Sequence, residues 1–515
     1  MFSTVYSGAL QGIHSYLVRA EVDIAPGLPG LQLVGYVGSE VAEAKERVRA
    51  AIRNTGGELP AARITINLAP ANVHKEGTAH DLSIAVGILQ SMKQLTKEQT
   101  ADTLFLGEMG LNGSLKPVRG VLPILREAVK QGFTRCVLPK ENAGEAAVVE
   151  GMHAYGMENL KQVLHFLQGR EQVEPETMNV RRLFAETKDE IEEDFADVQG
   201  QESAKRAMEI AAAGFHNLLL SGPPGAGKTM LAHRFPSILP PLTMEESLEV
   251  SSIYSVAGAL EPDCVILTKR PFLSPHHTIS EYAMAGGGAI PRPGAISMAH
   301  KGVLFLDELP EFKRNVIDVL RQPLEERKVH IHRASGNYTY PADFLLIGAM
   351  NPCPCGYYPD LRRCSCTASA RRRYAGRVSG PILDRMDLCA EVSRARLFEE
   401  TEQKNRGYWS SRNMRARVLA AQERQRKRYA GQEFQYNARI PARTVEYYCG
   451  LGADERKLLR EFAEEMELSA RACHRIMKVA RTIADLDGSE LVEEQHLYEA
   501  LLFKMVDYHT PLMQE

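Results

Sequence analysis

No apolar run in the sequence approaches the roughly 18 residues a membrane-spanning helix requires, so no membrane span or membrane partner is expected. Met1 to Ile24 carries no basic stretch leading into a long apolar segment, and export by a cleaved leader is not expected either. Charge of one sign is also scarce. Lys and Arg number 62 against 65 Asp and Glu, a formal net charge of −3. That balance excludes a uniformly cationic body, and any nucleic-acid partner must be held by confined basic patches. Nine cysteines is an odd count for a disulfide framework, and four of them fall between Cys353 and Cys366. Such bunching suits a metal clip in a reducing compartment, and the expected location is cytoplasmic.

What is present is a globular composition, 44% hydrophobic and 25% charged, over 515 residues, a length that suits two to four domains. Three blocks separate by texture. Residues 1–168 alternate short β-like runs (Leu31 to Tyr36, Ile64 to Leu68, Thr103 to Leu106, Cys136 to Pro139) with helical stretches at Val41 to Asn54 and Asp81 to Lys93. Residues 169–194 are expected to be a linker, since Glu171 to Asp197 holds ten acidic residues against three basic and few large apolar ones. Over 195–395 apolar strands alternate with helices, as in a parallel-sheet α/β domain. Residues 396–515 have a helical texture, with candidate helices at Asp454 to Met466, Ala470 to Asp485 and Glu493 to Lys504. The expected fold class is α/β: an α+β domain, then a parallel-sheet core, then a helical lid.

The strongest motif is Gly222-Pro223-Pro224-Gly225-Ala226-Gly227-Lys228-Thr229, a complete G-x-x-x-x-G-K-[ST]. An apolar strand, Leu218 to Leu220, runs into it and a helix-like stretch, Met230 to Phe235, leaves it. Glycines let successive backbone N–H groups turn inward around phosphates. Lys228 is expected on the β/γ-phosphates of ATP and the Thr229 hydroxyl on Mg²⁺. Downstream, Val303-Leu304-Phe305-Leu306 is an apolar run ending in Asp307 and Glu308. Asp307 is expected to hold the metal through water, and Glu308 to act as general base on the attacking water. A further strand, Phe344 to Met350, ends in Asn351, placed to orient that water or touch the γ-phosphate. The order P-loop, Asp-Glu, strand-Asn points to the AAA+ type of ATPase.

Cys353-Pro354-Cys355 and Cys364-Ser365-Cys366 are two C-x-C pairs separated by eight residues. Four thiolates in so short a span suit tetrahedral Zn²⁺, the alternative being free or redox-active thiols.

Several longer stretches resemble one family. They include the run from Phe215-His216-Asn217 into the P-loop, Ser274 to Ser280, Phe305 to Phe312, Arg321 to Val329, Ala349 to Gly356 and Ser379 to Leu388. Together they are similar to the ComM/YifB proteins, also called magnesium-chelatase-like AAA+ proteins. The resemblance implies a Lon-like N-terminal domain, an AAA+ core and a helical lid. It also implies a hexamer working on branched DNA as a helicase or branch-migration factor in natural transformation. By the same resemblance, Arg385, within Asp384-Arg385-Met386-Asp387, is expected to be an arginine finger for the neighbouring subunit, a salt bridge to its flanking Asp residues being the alternative. Arg471, in Ser469-Ala470-Arg471, resembles the sensor that reports the γ-phosphate to the lid, with Arg475 as its rival. A hairpin over Arg327 to Tyr340, turning at Ser335-Gly336-Asn337, would carry Lys328, His330, His332 and Arg333 to DNA, and Gly286-Gly287-Gly288 would be a flexible second pore element. Against the Lon pattern, Ala79 stands where the serine nucleophile belongs and Leu122 where its lysine belongs, so proteolysis is not expected. A magnesium-chelatase-like metal-insertion chaperone remains the alternative function.

Overall fold

The computed structural model describes residues 1–187, 193–261, 264–333, 336–393 and 407–509. Part of the expected acidic linker (188–192), the expected boundary at 395/396 and Ser335 lie outside them. Within the linker span, Val180–Thr187 is helical.

The N-terminal unit is built on a long antiparallel hairpin, β1 (Phe2–Gln11) and β2 (His14–Ala25), paired from Phe2↔Asp23 to Gln11↔His14. Val18, Ala20 and Val22 alternate inward on β2 and are fully buried, the period expected of a strand with one covered face. With β3 (Gly30–Val34), β4 (Arg63–Ala69), β5 (Thr103–Phe105), β6 (Arg135–Pro139) and β7 (His153–Met157) it forms a seven-stranded sheet ordered β3-β4-β2-β1-β5-β6-β7. Helix α1 (Ala44–Asn54) and helix α2 (Asp81–Ser91) pack on this sheet. Every residue of α2 is buried, which explains why its apolar side chains show no single face. Ser3 Oγ donates to the Gly87 carbonyl at 2.7 Å, and Ser91 Oγ donates to Ser3 at 2.8 Å, joining α2 to the hairpin without unsatisfied hydroxyls. Helix α3 (Val121–Lys130) follows.

The central unit starts with α4 (Glu202–Gly214) and β8 (Leu218–Ser221), then α5 (Lys228–Arg234) and α6 (Met244–Ala257). Strands β9 (Phe272–Leu273) and β10 (Gly286–Gly287), the latter paired with β11 (Arg292–Pro293), precede β12 (Val303–Leu306). Helix α7 (Arg321–Glu326) leads into a hairpin, β13 (Lys328–Arg333) with β14 (Gly336–Pro341), and then β15 (Leu345–Met350) and β16 (Leu388–Glu391). Strands β9-β12-β15-β8-β16, in that order, form a five-stranded sheet, parallel throughout. Its strands β8, β12 and β15 are buried throughout, which is why they are continuously apolar in sequence. The Gly286–Gly288 stretch, expected to be flexible, is instead a close-packed ribbon. A Cβ on Gly286 would stand 2.4 Å from the Arg292 carbonyl oxygen, and one on Gly288 2.8 Å from that of Ile290.

Four longer helices close the chain: α8 (Ser411–Arg428), α9 (Ala453–Glu465), α10 (Ala470–Asp487) and α11 (Glu494–His509). Gln422 and Gln425 of α8 donate, each at 3.0 Å, to the carbonyls of Ala212 and Ala213 in the last turn of α4, which lack partners within that helix. Arg439 reaches from the lid to Asp343 at 2.9 Å and to the Phe344 carbonyl at 3.0 Å. Contacts at α6 and at the β13–β14 hairpin join the N-terminal unit to the core. Gly120 N donates to the Ser255 carbonyl of α6 at 3.2 Å, while Ser255 Oγ donates to half-buried Glu145. Leu10 and Ile13, around the β1–β2 turn, pack into the apolar cluster that includes Val329, Ile331 and Tyr338 of the β13–β14 hairpin.

Candidate functional site: a P-loop pocket and a remote arginine cluster

The sheet order decides which chain segments meet. Strand β15 lies between β8 and β12, so the ends of all three, Ser221, Met350 and Leu306, emerge side by side. In a parallel sheet that is the carboxyl edge, where α/β proteins bind ligands. The P-loop, Asn351 and Asp307-Glu308 therefore enclose a pocket of about 400 Å³. Gly222 N donates to the Met350 carbonyl at 3.2 Å, and the P-loop passes so close to β16 that a Cβ on Gly222 would lie 2.1 Å from the Val392 carbonyl oxygen. Gly227 sits at φ +96, a left-handed conformation that an L side chain rarely adopts, and the backbone enters α5 from there.

Lys228 is nearly buried and its ammonium donates to three oxygens: Gly222 carbonyl (2.7 Å), Pro223 carbonyl (3.0 Å) and Asn351 Oδ1 (3.0 Å). Burial lowers its pKa, and the carboxylates of Asp307 and Glu308 pull the other way. Thr229 Oγ1 donates to Asp307 Oδ2 at 2.6 Å, and Asp307 Oδ1 accepts from Glu308 N at 2.9 Å. A hydroxyl and a carboxylate that meet in this way present hard oxygens to a common point and fit Mg²⁺ with its retained waters. Glu308 adopts φ +51, an uncommon conformation for a residue with a side chain, and holds its carboxylate out toward solvent, 61% exposed. His277, beyond β9, faces it with Nδ1 3.7 Å from Oε2. Sequence reasoning missed His277 as a neighbour of Glu308, because nothing local ties residue 277 to residue 308.

Arg385 and Arg471 do not line this pocket. Both reach Glu325 of α7, Arg385 at 2.6 Å. The expected alternative, a bridge from Arg385 to its flanking Asp residues, is not what forms. Asp387 instead accepts from Asn217 N at 3.1 Å, with His216 at 3.5 Å and Arg475 at 3.7 Å. The hydrogen bond from Arg471, supported by Arg385, holds the Glu325 carboxyl below its usual range. These groups line a second cavity of about 350 Å³ together with Arg439, Arg475 and Lys478, far more cation than anion. Burial brings Lys478 down to about 8 against the pull of Asp387. Arg385 Nε and Arg475 Nη1 are buried with no acceptor among the described residues, and a cavity lined by so many guanidinium groups suits phosphate oxygens. Glu325 was invisible beforehand, one acidic residue among many on helices.

The sulfurs of Cys353, Cys355, Cys364 and Cys366 lie within 4.8 Å of one another, Cys353 being 3.3 Å from Cys355 and 3.7 Å from Cys364. Tetrahedral zinc with bonds of about 2.3 Å places its sulfurs roughly 3.8 Å apart, so the donor set fits that ion. The β13–β14 hairpin exposes Lys328 and Arg333, while His330 is half-buried beside Thr339 at 3.1 Å and His332 contacts Asn337 at 2.8 Å. In the N-terminal unit Ser83 Oγ donates to the His80 carbonyl at 2.8 Å and Lys75 Nζ to the Pro70 carbonyl.

Known proteins align along the whole chain. Residues 194–400 match the family described as magnesium chelatase, subunit ChlI; 20–142 match subunit ChlI of Mg-chelatase; and 409–504 match its C-terminal part. The protein YifB of Salmonella typhimurium is 43% identical over 506 residues, covering 98% of this chain and 97% of its own. The competence protein ComM of Haemophilus influenzae is 42% identical over 502 residues, 97% of each chain. The chain belongs to the ComM/YifB family of magnesium-chelatase-like AAA+ proteins. As a member of that family it is an AAA+ protein, for which ATP with Mg²⁺ is the implied ligand pair and ATP hydrolysis the implied activity. Lon protease 2 of Bacillus subtilis is 33% identical over 201 residues, a third of this chain and 35% of its own. No helix among the described residues is long and apolar enough to cross a membrane.

Proposed function

We propose that this ComM/YifB-family protein is an ATP-driven ring motor that moves branched or single-stranded DNA, working in the cytoplasm as a homo-oligomer, most simply a hexamer. The observation that carries the proposal is the separation of two half-sites. Lys228, Thr229, Asp307, Glu308 and Asn351 share one pocket, while Arg385 and Arg471 share another, joined through Glu325. A guanidinium that never lines its own chain's nucleotide pocket has a task there only if a second subunit brings its pocket to it.

Within the first pocket the P-loop N–H groups from Gly225 to Thr229 wrap the phosphates, and Lys228 exchanges carbonyl partners for phosphate oxygens. Thr229 and Asp307 would hold Mg²⁺, which supplies neutralisation of the β/γ oxygens. Glu308 takes a proton from the attacking water and Asn351 fixes that water's orientation. Glu325 holds Arg385 and Arg471 on one carboxylate until a neighbour's γ-phosphate replaces it. Six hairpins carrying Lys328 and Arg333 in one ring would concentrate cation along a pore although the chain's net charge is −3. Kinship with a protein named for competence supports DNA as what is moved. The domain scheme follows the same division: a Lon-like unit over 1–168, a linker over 169–194, the AAA+ core over 195–395 and the lid over 396–515.

The test is ATPase activity of the full chain with forked DNA, linear duplex or no DNA, followed by strand displacement on the fork. Stimulation by the fork with ATP-dependent strand movement is expected. An active, ring-forming protein that ignores DNA but responds to a metal-chelatase partner would replace the motor by the metal-insertion chaperone.

A further inference from the structure

We propose that the four-cysteine knuckle holds Zn²⁺ and that this metal props the wall of the nucleotide pocket, so that metal occupancy sets nucleotide affinity. The proposal rests on the P-loop pocket described above and adds a second ion to it, remote from the phosphates. Two contacts connect knuckle and P-loop. On one side Asn351, two residues before Cys353, accepts from Lys228 at 3.0 Å. On the other, Gly356, next to Cys355, lies against the P-loop itself. A Cβ on Gly356 would stand 2.3 Å from Cδ and 2.6 Å from Cγ of Pro224, and its φ of +80 strains any other residue as well.

Between these two contacts the chain has no helix or strand of its own, from the end of β15 at Met350 to the helix that begins at Ala368. Its internal order comes from short turns such as Gly356 N to the Cys353 carbonyl (2.9 Å) and Cys364 N to the Asp360 carbonyl (2.8 Å). The outer rim is braced by Arg371, which donates to the Cys366 carbonyl at 3.0 Å and lies 4.4 Å above the Tyr358 ring. Among the described residues none of 351–367 belongs to an apolar cluster, and four metal–thiolate bonds are the strongest constraint this loop can make. With the metal bound, Cys353 and Cys355 are fixed, and Asn351 and Gly356 on either side of them are fixed too. Without it, Pro224 and Lys228 lose a rigid neighbour each.

The experiment measures zinc content and the affinity for a fluorescent ATP analogue on the full chain. The samples are protein as purified, protein stripped by a chelator under reducing conditions, Cys355→Ser with Cys366→Ser, Gly356→Ala, and Lys228→Ala. About one zinc per chain is expected as purified. Stripping and the double cysteine change should each weaken binding about tenfold with circular dichroism unchanged, and added Zn²⁺ should restore only the stripped wild type. Gly356→Ala should keep its zinc and still bind about tenfold more weakly, because the contact and not the metal is lost. Equal affinity of loaded and stripped protein, full affinity in Gly356→Ala, or protein that is folded and free of zinc as purified, before any chelator, would each overturn the proposal. If stripping unfolds the chain, Cys355→Ser with Cys366→Ser, with its zinc content and circular dichroism read beside its affinity, decides. Absence of nucleotide binding by the zinc-loaded wild type would refute the P-loop assignment instead, a different failure from loss of coupling.

Discussion

Replacing Asp343 by Asn should unlatch the lid from the core. Asp343 lies between β14 and β15, and its side chain, 12% exposed, meets Arg439 of the lid at 2.9 Å and Lys301 at 3.1 Å. Burial alone would raise its pKa. Arg439, Lys301 and Arg327 outweigh that and hold the carboxyl far below the usual range. Asparagine keeps the shape and removes the charge, leaving two partly buried cations uncompensated, at a cost of about 3 kcal/mol at neutral pH. The pH dependence follows from the depressed pKa. The unfolded chain takes a proton on this residue near pH 4, while the folded chain does so only well below that. The stabilisation is thus complete above about pH 4 and is lost as pH falls toward the folded value, by about 1.4 kcal/mol per unit. Trp409, the only tryptophan, is buried in the cluster shared by core and lid and reports the transition by fluorescence in urea. Wild type and Asp343→Asn should differ widely at pH 7 and less at pH 3. A gap under about 0.5 kcal/mol at pH 7, or an equal gap at both pH values, would refute the reasoning.

Glu308→Gln should bind ATP as tightly as wild type and hydrolyse it at least about 100-fold more slowly; near-normal turnover would show that another group is the base. Arg385→Ala and Lys228→Ala subunits, each inactive alone, should regain partial ATPase activity when mixed, and no rescue at any ratio would count against action between subunits. Lys328→Ala with Arg333→Ala should weaken DNA binding, lower its salt dependence by about one to two counterions per subunit, and spare DNA-free ATPase activity, as titrations at several salt concentrations will show.

The core strands are legible in the sequence because a parallel sheet covered on both faces needs uninterrupted apolar runs, and Val303–Leu306 and Leu345–Met350 are such runs. The P-loop is legible because its glycines answer to backbone conformation and close approach, which no other residue satisfies. The long β1–β2 hairpin escapes notice for the opposite reason. Polar Ser3 and Ser7 occupy buried positions on β1, matched by hydroxyl acceptors contributed by residues far along the chain, so alternation is blurred. Glu325 and His277 escape because their partners are 60 or more and 31 residues away, and a single sequence carries no sign of such pairings. Arg471 shows the limit of motif transfer. Its position on a helix is readable, but that it shares one carboxylate with Arg385 is a property of the folded chain.

The attachment of the N-terminal sheet to the core bears on how the protein can be divided. Leu10 and Ile13 fill the same apolar cluster as the β13–β14 hairpin, and α6 is pinned through Ser255 to Gly120 and Glu145. A fragment beginning near residue 195 would keep the P-loop pocket, yet it would leave the side of that hairpin around Tyr338 and Thr339 and one side of α6 greasy and bare. Truncation should therefore yield a self-associating, aggregation-prone fragment, the N-terminal unit serving as the cover that keeps those surfaces from sticking to one another.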